Sequence, residues 1–228
     1  MSKLILWDID GTLVNAGQVA ADVFDDAIET VTGRRPINRV RMSGKTDPQI
    51  ALEYLEMSGV DNAEALLPTV MDLLAQNLAE RSHLIQEQGH VLPGVIDALD
   101  ALDEQFEVEQ TLLTGNIQPN AWVKLAAFDL AKRFDYSVGA FGSDHIDRRK
   151  LVPIALERNL RVRNAAYKSS DVWIIGDSPN DYACAVAGGV RCVLVATGRS
   201  TIDELAELAP DLVLSDLSDL ASLLGVLQ

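Results

Sequence analysis

The sequence predicts an α/β fold, with a Rossmann-like parallel sheet at its core and an α-helical segment inserted into it. Three observations lead to this fold class. Short apolar runs followed by helical periodicity recur along the chain. Most of these runs are too apolar for strands with one solvent-exposed face, which favours a sheet covered by helices on both sides. One long segment near the N-terminus has helical patterns and no convincing strand.

Six apolar runs predict the strands, in chain order: residues 4–9, 111–114 with a lead-in from Phe106, 136–140, 172–175, 192–196 and 212–214. Helical patterns between them predict the crossover helices, at residues 119–128, 151–158 and 202–208. Open parallel sheets bind ligands at the carboxyl ends of their strands, so the residues directly after each strand are the first candidates for a functional site.

The inserted segment lies between Thr12 and the Pro93-Gly94 turn. Its helical patterns cover residues 16–30, 48–57 and 63–88, and Pro68 is expected to bend the last one. We therefore predict two domains, a core of residues 1–15 and 89–228 and a helical cap of residues 16–88. Because the cap leaves the sheet just after the first strand, it would lie over a site there and exclude water from it.

Composition limits the classes of function. The chain has 228 residues, of which 48% are hydrophobic, and its 34 acidic and 19 basic residues give a net charge of −15. This charge opposes binding to nucleic acid or to an anionic membrane surface, so an anionic substrate must be attracted by a local site. Without a signal-like or membrane-spanning apolar segment, we expect a cytoplasmic protein. Cys184 and Cys192 lack metal or redox spacing and are expected to be buried and reduced.

Two aspartates, Asp8 and Asp10, stand at the end of the first predicted strand, followed by Gly11 and Thr12. Both carboxylates are expected to crowd the strand exit, where like charges repel each other. A hard, oxygen-binding cation such as Mg²⁺ would neutralise them. A carboxylate there could also attack phosphorus to form an aspartyl-phosphate.

Polar groups also follow the later strands. Thr114-Gly115-Asn116 offers a hydroxyl and backbone amides at a strand-to-helix turn, which suits a phosphate, although Thr114 also suits a helix cap. Arg148 and Lys150 stand just before a helix, where either could bind a phosphoryl oxygen or simply be solvated.

Asp177 follows the fourth strand and could bind a metal ion. Asp181 could support that metal's ligand shell, a cation or the start of a helix.

These motifs together resemble the four motifs of the haloacid dehalogenase superfamily: Asp8-Ile9-Asp10-Gly11-Thr12, Thr114, a Lys or Arg before a helix, and Gly176-Asp177-x-x-x-Asp181. The resemblance covers essentially the whole chain and implies that family's Rossmann-like core with a helical cap. Ser43-Gly44-Lys45-Thr46-Asp47 and Leu92-Pro93-Gly94-Val95 look like the phosphoglycolate phosphatase branch. One departure is Arg148-Arg149-Lys150-Leu151, where the family commonly has Lys-Pro.

The resemblance implies a role for each matched residue. Asp8 would be the nucleophile, and Asp10 would first protonate the leaving oxygen and then activate water. Mg²⁺ would be held by Asp8, the carbonyl of Asp10 and Asp177, with Asp181 in support. The phosphate would contact Gly11, Thr114, Gly115 and Asn116, and the third-motif cation would be Lys150, which has the commoner residue type, or Arg148.

The function expected is that of a Mg²⁺-dependent phosphatase acting on a small phosphorylated metabolite. Dehalogenases and phosphonatases of the superfamily typically lack the second carboxylate, here Asp10, which makes them poor matches. A hexose-phosphate mutase keeps both carboxylates and remains an alternative, as does a binding or regulatory protein on the same fold. In the cap, Arg41 or Lys45 could bind a second anionic group of the substrate, although exposed basic residues are often only solvated.

Overall fold

A computed structural model describes residues 2–105 and 107–228 of the chain. The strands are β1 (Lys3–Trp7), β2 (Val14–Asn15), β3 (His90–Val91), β4 (Val108–Leu112), β5 (Val172–Gly176), β6 (Arg191–Val195) and β7 (Leu212–Leu214). Five of them form one sheet in the order β4-β1-β5-β6-β7, and every neighbouring pair is parallel. The predicted parallel α/β core is therefore confirmed. The expected lead-in at Phe106 lies outside the described residues.

Ten α-helices are assigned within the described residues: α1 (Val19–Thr32), α2 (Asp47–Met57), α3 (Leu67–Glu80), α4 (Ser82–Gln88), α5 (Val95–Asp103), α6 (Gln118–Ala126), α7 (Leu151–Arg163), α8 (Pro179–Gly188), α9 (Ile202–Ala206) and α10 (Leu220–Val226). None of the described helices has both the length and the apolar character needed to cross a membrane.

Strand β1 lies between β4 and β5 in the sheet and is buried on both faces. Its alternate residues point to opposite sides, so Ile5 and Trp7 join one hydrophobic cluster while Leu4 and Leu6 join another. All four side chains are fully buried. This explains why the run is continuously apolar and why it ends abruptly at Asp8, where the strand emerges from the core.

The inserted segment leaves and returns through a short antiparallel ribbon, in which β2 pairs with β3. Helices α1 to α4 pack around a cluster of their own, which Ile117 of the core joins. Pro68 lies in the first turn of α3, which begins at Leu67, and does not bend a longer helix, because a proline in the first turn sacrifices no helical hydrogen bond. The division into a core and a cap of residues 16–88 remains a prediction that these contacts support.

The strand predicted at residues 136–140 is wrong. Only Ala140 pairs with the sheet, through a single bridge to Leu113. The carboxylate of Asp135 accepts hydrogen bonds from the Ser137 amide at 2.9 Å and hydroxyl at 2.6 Å. This local turn competes with extended structure, so Val138 and Ala140 are buried without forming a strand. Cys184 and Cys192 are buried and free, as predicted.

Candidate active site

The carboxyl ends of β1, β4 and β5 open into a cavity of about 330 Å³. Its lining includes Asp8, Asp10, Thr114, Arg148 and Asp177, which come from four separate stretches of the chain. The parallel sheet brings these residues together because its strands all end at the same edge.

Gly11 allows the chain to turn immediately after the two aspartates. Its φ of +84° is a conformation that favours glycine, and its amide donates to the carbonyl of Val14 at 3.0 Å. A Cβ at this position would lie 2.6 Å from Oδ2 of Asp177. Gly11 therefore permits both the turn and the close approach of the first and fourth motifs.

Three buried carboxylates, those of Asp8, Asp177 and Asp181, have oxygen atoms within 4.8 Å of one another. Burial raises the pKa of Asp8 from 3.8 to about 7; Arg148 opposes this shift, and Asp181 and Asp10 add to it. Burial likewise raises the pKa of Asp177 well above its ordinary value, with further contributions from Asp181 and Asp8. The cluster thus carries more negative charge than its surroundings compensate.

Arg148 is the cation within this cluster. Its guanidinium lies 3.0 Å from Oδ1 of Asp8, makes a very short contact with Oδ1 of Asp181, and donates to the carbonyl of Gly44 at 3.1 Å. Lys150, the other candidate from the sequence, is exposed and does not line the cavity. The geometry therefore favours Arg148 as the third-motif cation. A 3₁₀ turn, capped by the Asp147 side chain, directs Arg148 inward.

Asp181 connects this cation to the start of a helix. Its Oδ2 accepts hydrogen bonds from the amide of Ser178 at 3.0 Å and from its hydroxyl at 2.6 Å, and Oδ1 accepts from Arg148. The bond from the Ser178 amide is one half of a capping box at the start of α8. Two of the roles considered from the sequence, supporting a cation and starting a helix, are therefore present together in the geometry.

Thr114 is fully buried and does not cap α6, whose N-cap residue is Ile117. Its hydroxyl oxygen accepts from the amide of Asn116 at 3.3 Å and from Nδ2 of Asn116 at 2.9 Å. Both bonds use the oxygen as acceptor, so the hydroxyl proton is available to donate into the cavity.

Lys124 is a buried cation that the sequence interpretation missed. Its Nζ donates to Oδ1 and Oδ2 of Asp10 at 2.8 and 2.7 Å and to Oδ1 of Asn116 at 2.6 Å. It lies on the buried face of α6, beside Ala121 and Leu125. The signal in the sequence was that Lys124 lies three residues after Ala121, on the apolar face of the helix. A lysine on such a face needs a buried anionic partner.

The loop of residues 43–47 docks the inserted segment onto this site. Asn180 Nδ2 donates to the Ser43 carbonyl at 3.1 Å, and the Thr46 hydroxyl donates to the carbonyl of Ile146 at 2.7 Å. The amide of Asp47 donates to the Gly115 carbonyl at 2.8 Å. A Cβ on Gly115 would lie 2.1 Å from the Lys45 carbonyl oxygen, so this docking requires glycine.

The Asp47 carboxylate makes a buried contact, and the sequence interpretation gave it no role beyond its place in the segment of residues 43–47. Its Oδ2 accepts from the amide of Ile117, the N-cap of α6, at 2.8 Å. Burial raises the pKa of Asp47 to about 6, against the opposing influence of Lys124. The carboxylate therefore joins the cap to the helix that carries Lys124.

The two cap cations proposed as an anion clamp are placed differently. Arg41 is exposed and does not line the cavity, whereas Lys45 lines it but forms an ion pair with Glu53. Arg199, which the sequence interpretation also missed, lies on the core side of the cavity.

The comparisons with known proteins agree with this geometry. The sequence profile of the haloacid dehalogenase-like hydrolases matches residues 5–195. The chain belongs to the haloacid dehalogenase-like hydrolases. It is 29% identical to phosphoglycolate phosphatase 1 of Pseudomonas aeruginosa, over 96% of this chain and 79% of that protein. It is also 25% identical to the pyrophosphatase PpaX of Halalkalibacterium halodurans, over 97% of this chain and 96% of that protein.

Solved structures share the fold of this hydrolase. CbbY from Rhodobacter sphaeroides, crystallised in complex with phosphate, superposes with a TM-score of 0.73 at 20% identity, covering 96% of each chain. At this identity the similarity concerns the fold alone.

Proposed function

We propose that this hydrolase is a Mg²⁺-dependent phosphatase that hydrolyses a small phosphomonoester through phosphorylation of Asp8. The observation that carries the proposal is the convergence of Asp8, Asp10, Thr114 and Arg148 on one cavity. This set supplies the parts that phosphoryl transfer needs: a nucleophile, an acid/base group, and donors for the phosphoryl oxygens. A cavity of about 330 Å³ is at the lower end of the range for ligand pockets and suits a small substrate.

Each residue has a distinct task in the proposed reaction. An oxygen of Asp8 forms a bond to phosphorus while the ester oxygen leaves, and Asp10 gives that oxygen a proton. Asp10 then takes a proton from the water that attacks the aspartyl-phosphate, which releases phosphate and restores Asp8. Thr114 donates its hydroxyl proton to the phosphoryl group, and Arg148 holds Asp8 in position.

The donor set fits a magnesium ion. Asp8 and Asp177 offer buried carboxylate oxygens close together, which are the ligands that Mg²⁺ prefers, and the carbonyl of Asp10 is a third candidate. The second oxygen of Asp181 is occupied by Ser178, so this residue is better suited to support Arg148 than to bind a metal directly. When bound, the cation would offset the charge of the carboxylates and of the phosphoryl oxygens.

We expect Mg²⁺ to stabilise the protein more at pH 8 than at pH 6. The folded protein binds the Asp8 proton more tightly than the unfolded chain, because its pKa rises from 3.8 to about 7. The stability that this proton contributes is complete below pH 3.8 and is lost as pH rises through about 7. At pH 8 the Asp8 carboxylate is mostly ionised, which is the form that Mg²⁺ binds. At 100 times its dissociation constant it should raise the melting temperature by roughly 5 to 10 °C at pH 8.

Differential scanning fluorimetry with and without Mg²⁺ measures this shift. Asp177→Asn should reduce it at pH 8, whereas Asp203→Asn, at an exposed position on α9, should leave it unchanged. An equal shift at both pH values would contradict the proposed use of the buried carboxylates.

Phosphate release from p-nitrophenyl phosphate and from a panel of phosphorylated metabolites tests the function itself. The expected result is turnover with Mg²⁺ that stops when EDTA removes the metal and returns when Mg²⁺ is restored. Identified products would separate hydrolysis from transfer between sugar positions, which a mutase would catalyse. Purified protein that binds Mg²⁺ but releases no phosphate from any substrate would point instead to a binding protein.

A further inference from the structure

The ammonium group of Lys124 is buried and fully engaged. The side chain is 6% exposed, and its three hydrogen bonds reach both carboxylate oxygens of Asp10 and Oδ1 of Asn116. An ammonium has three N–H donors, so none is left over for substrate. Burial of such a charge is costly unless a carboxylate compensates it.

The partner, Asp10, faces the cavity. Its side chain is 42% exposed, in contrast to Lys124, and it lines the cavity together with the nucleophile. Asn116 Nδ2 donates to Oδ2 of Asp10 at 2.7 Å, so Lys124 and Asn116 together donate three hydrogen bonds to the carboxylate. A carboxylate fixed by three hydrogen bonds has little rotational freedom.

We propose that Lys124 is a positioning residue for Asp10, the acid/base group of the proposed phosphatase reaction. The proposal rests on that function. Lys124 keeps its own protons throughout: the proton on the leaving oxygen comes from Asp10 and is later replaced from water. Lys124 holds the carboxylate in the orientation needed for both transfers and compensates its charge whenever it acts as a base.

The leaving group provides a test of this role. An alkoxide is a poor leaving group and needs a proton as the ester bond breaks, whereas p-nitrophenolate leaves readily without one. A variant that disturbs Asp10 should therefore lose more kcat/KM on an alkyl phosphate than on p-nitrophenyl phosphate. The parameter kcat/KM is the informative one because it reports the steps up to leaving-group release.

The experiment compares Lys124→Met, Lys124→Gln and Asp10→Asn on p-nitrophenyl phosphate and on the alkyl phosphate that the wild type hydrolyses best. For each variant we expect a loss of about 100-fold on the alkyl phosphate and less than about 10-fold on the aryl phosphate. Combining Lys124→Met with Asp10→Asn should add little to Asp10→Asn alone, since both act on one group. Lys132→Met, at an exposed position, should match the wild type.

Equal losses on the two substrates, or multiplying losses in the double variant, would overturn the positioning role. Lys124→Gln, which keeps a polar group, replaces Lys124→Met if circular dichroism shows that the latter is unfolded. If the wild-type protein is an active phosphatase and the variants keep its ratio of kcat/KM between alkyl and aryl phosphate, the positioning role fails while the proposed function stands. A wild type without any phosphatase activity defeats the proposed function and this proposal with it.

Within the described part of the chain, four cations line the cavity: Lys45, Lys124, Arg148 and Arg199. The first three are paired with Glu53, with Asp10, and with Asp8 and Asp181 respectively. Arg199 has no ion pair with any residue in 2–105 or 107–228.

Arg199 follows a loop that is held tightly against the catalytic motifs. The Thr197 hydroxyl donates to the carbonyl of Gly11 at 2.5 Å, and a Cβ on Gly198 would lie 1.7 Å from Oδ2 of Asp177. We infer that Arg199 binds a second anionic group of the substrate, a carboxylate or a second phosphate. In a chain with a net charge of −15, a guanidinium without an ion-pair partner at the cavity is suited to attract an anionic group that the substrate carries in addition to its phosphoryl group.

Arg199→Gln tests this inference with substrates that differ in the second group. The KM for 2-phosphoglycolate or pyrophosphate should rise about 10- to 100-fold, and the KM for ethyl phosphate, which lacks a second anion, should stay unchanged. The substrate that responds identifies the group as carboxylate or phosphate. Arg161→Gln, at an exposed position on α7, is the control. Equal effects on all three substrates would overturn the inference.

Discussion

Replacing Asp8 with asparagine is expected to lower kcat for Mg²⁺-dependent phosphate release by on the order of 10⁴-fold or more. Asparagine has nearly the same shape but no nucleophilic carboxylate. The same change should not destabilise the metal-free protein, because it removes one charge from a buried cluster in which the pKa of Asp8 is already raised to about 7. Activity and stability should therefore change independently.

Phosphate release and the midpoint of thermal unfolding measure the two effects on one preparation of Asp8→Asn. Asp72→Asn, an exposed position on α3, provides a matched control that should retain both activity and stability. Turnover near the wild-type level in pure Asp8→Asn protein would exclude Asp8 as the nucleophile. A large loss of stability would show that the ionised carboxylate is needed for folding, contrary to its raised pKa.

Replacing Arg148 with methionine should remove both activity and much of the stability. The side chain is 5% exposed and its guanidinium compensates Asp8 and Asp181. Without it, buried carboxylates remain unpaired, and the free energy of unfolding should fall by about 3–5 kcal/mol. Arg148 lowers the pKa of Asp8, so its removal should raise that pKa above the wild-type value of about 7. The defect should therefore be smaller at pH 6 than at pH 8, since protonation of Asp8 removes uncompensated charge.

Denaturant titration at pH 8 and pH 6 measures this change. Arg149→Met and Lys150→Met are matched controls, because both positions are adjacent in sequence yet exposed, and each should alter stability by less than about 0.5 kcal/mol. If Lys150→Met abolishes activity while Arg148→Met retains it, the assignment of the third-motif cation is reversed.

Strands that consist of one continuous apolar run were predictable from the sequence. The runs predicted at residues 4–9 and 172–175 both form strands of the sheet, with observed bounds Lys3–Trp7 and Val172–Gly176. The segment at residues 136–140 carried a comparable apolar signal, yet the turn at Asp135 decides its conformation. Periodicity measures burial, and a buried segment need not be hydrogen-bonded into a sheet.

Site residues were predictable where they directly follow a strand. Asp8, Thr114 and Asp177 were identified in this way, and all three line the cavity. Lys124 escaped because it lies within a helix, where its spacing indicates only a packed face. Asp47 was noted only as part of the segment of residues 43–47, and an aspartate in the first turn of a helix is sufficiently explained by the helix dipole. Their partners come from distant parts of the chain, so only the folded structure reveals the pairing.

The docking loop of residues 43–47 has a consequence for engineering this enzyme. It contacts the core through Gly115, through Ile146 and Arg148, and through Asn180, which lie in or close to three different family motifs. A chimera that exchanges only the helices of the insertion for those of a relative would bring a foreign loop against these surfaces. A chimera designed to change the substrate range should therefore exchange the inserted helices together with the loop and the three core segments that the loop contacts.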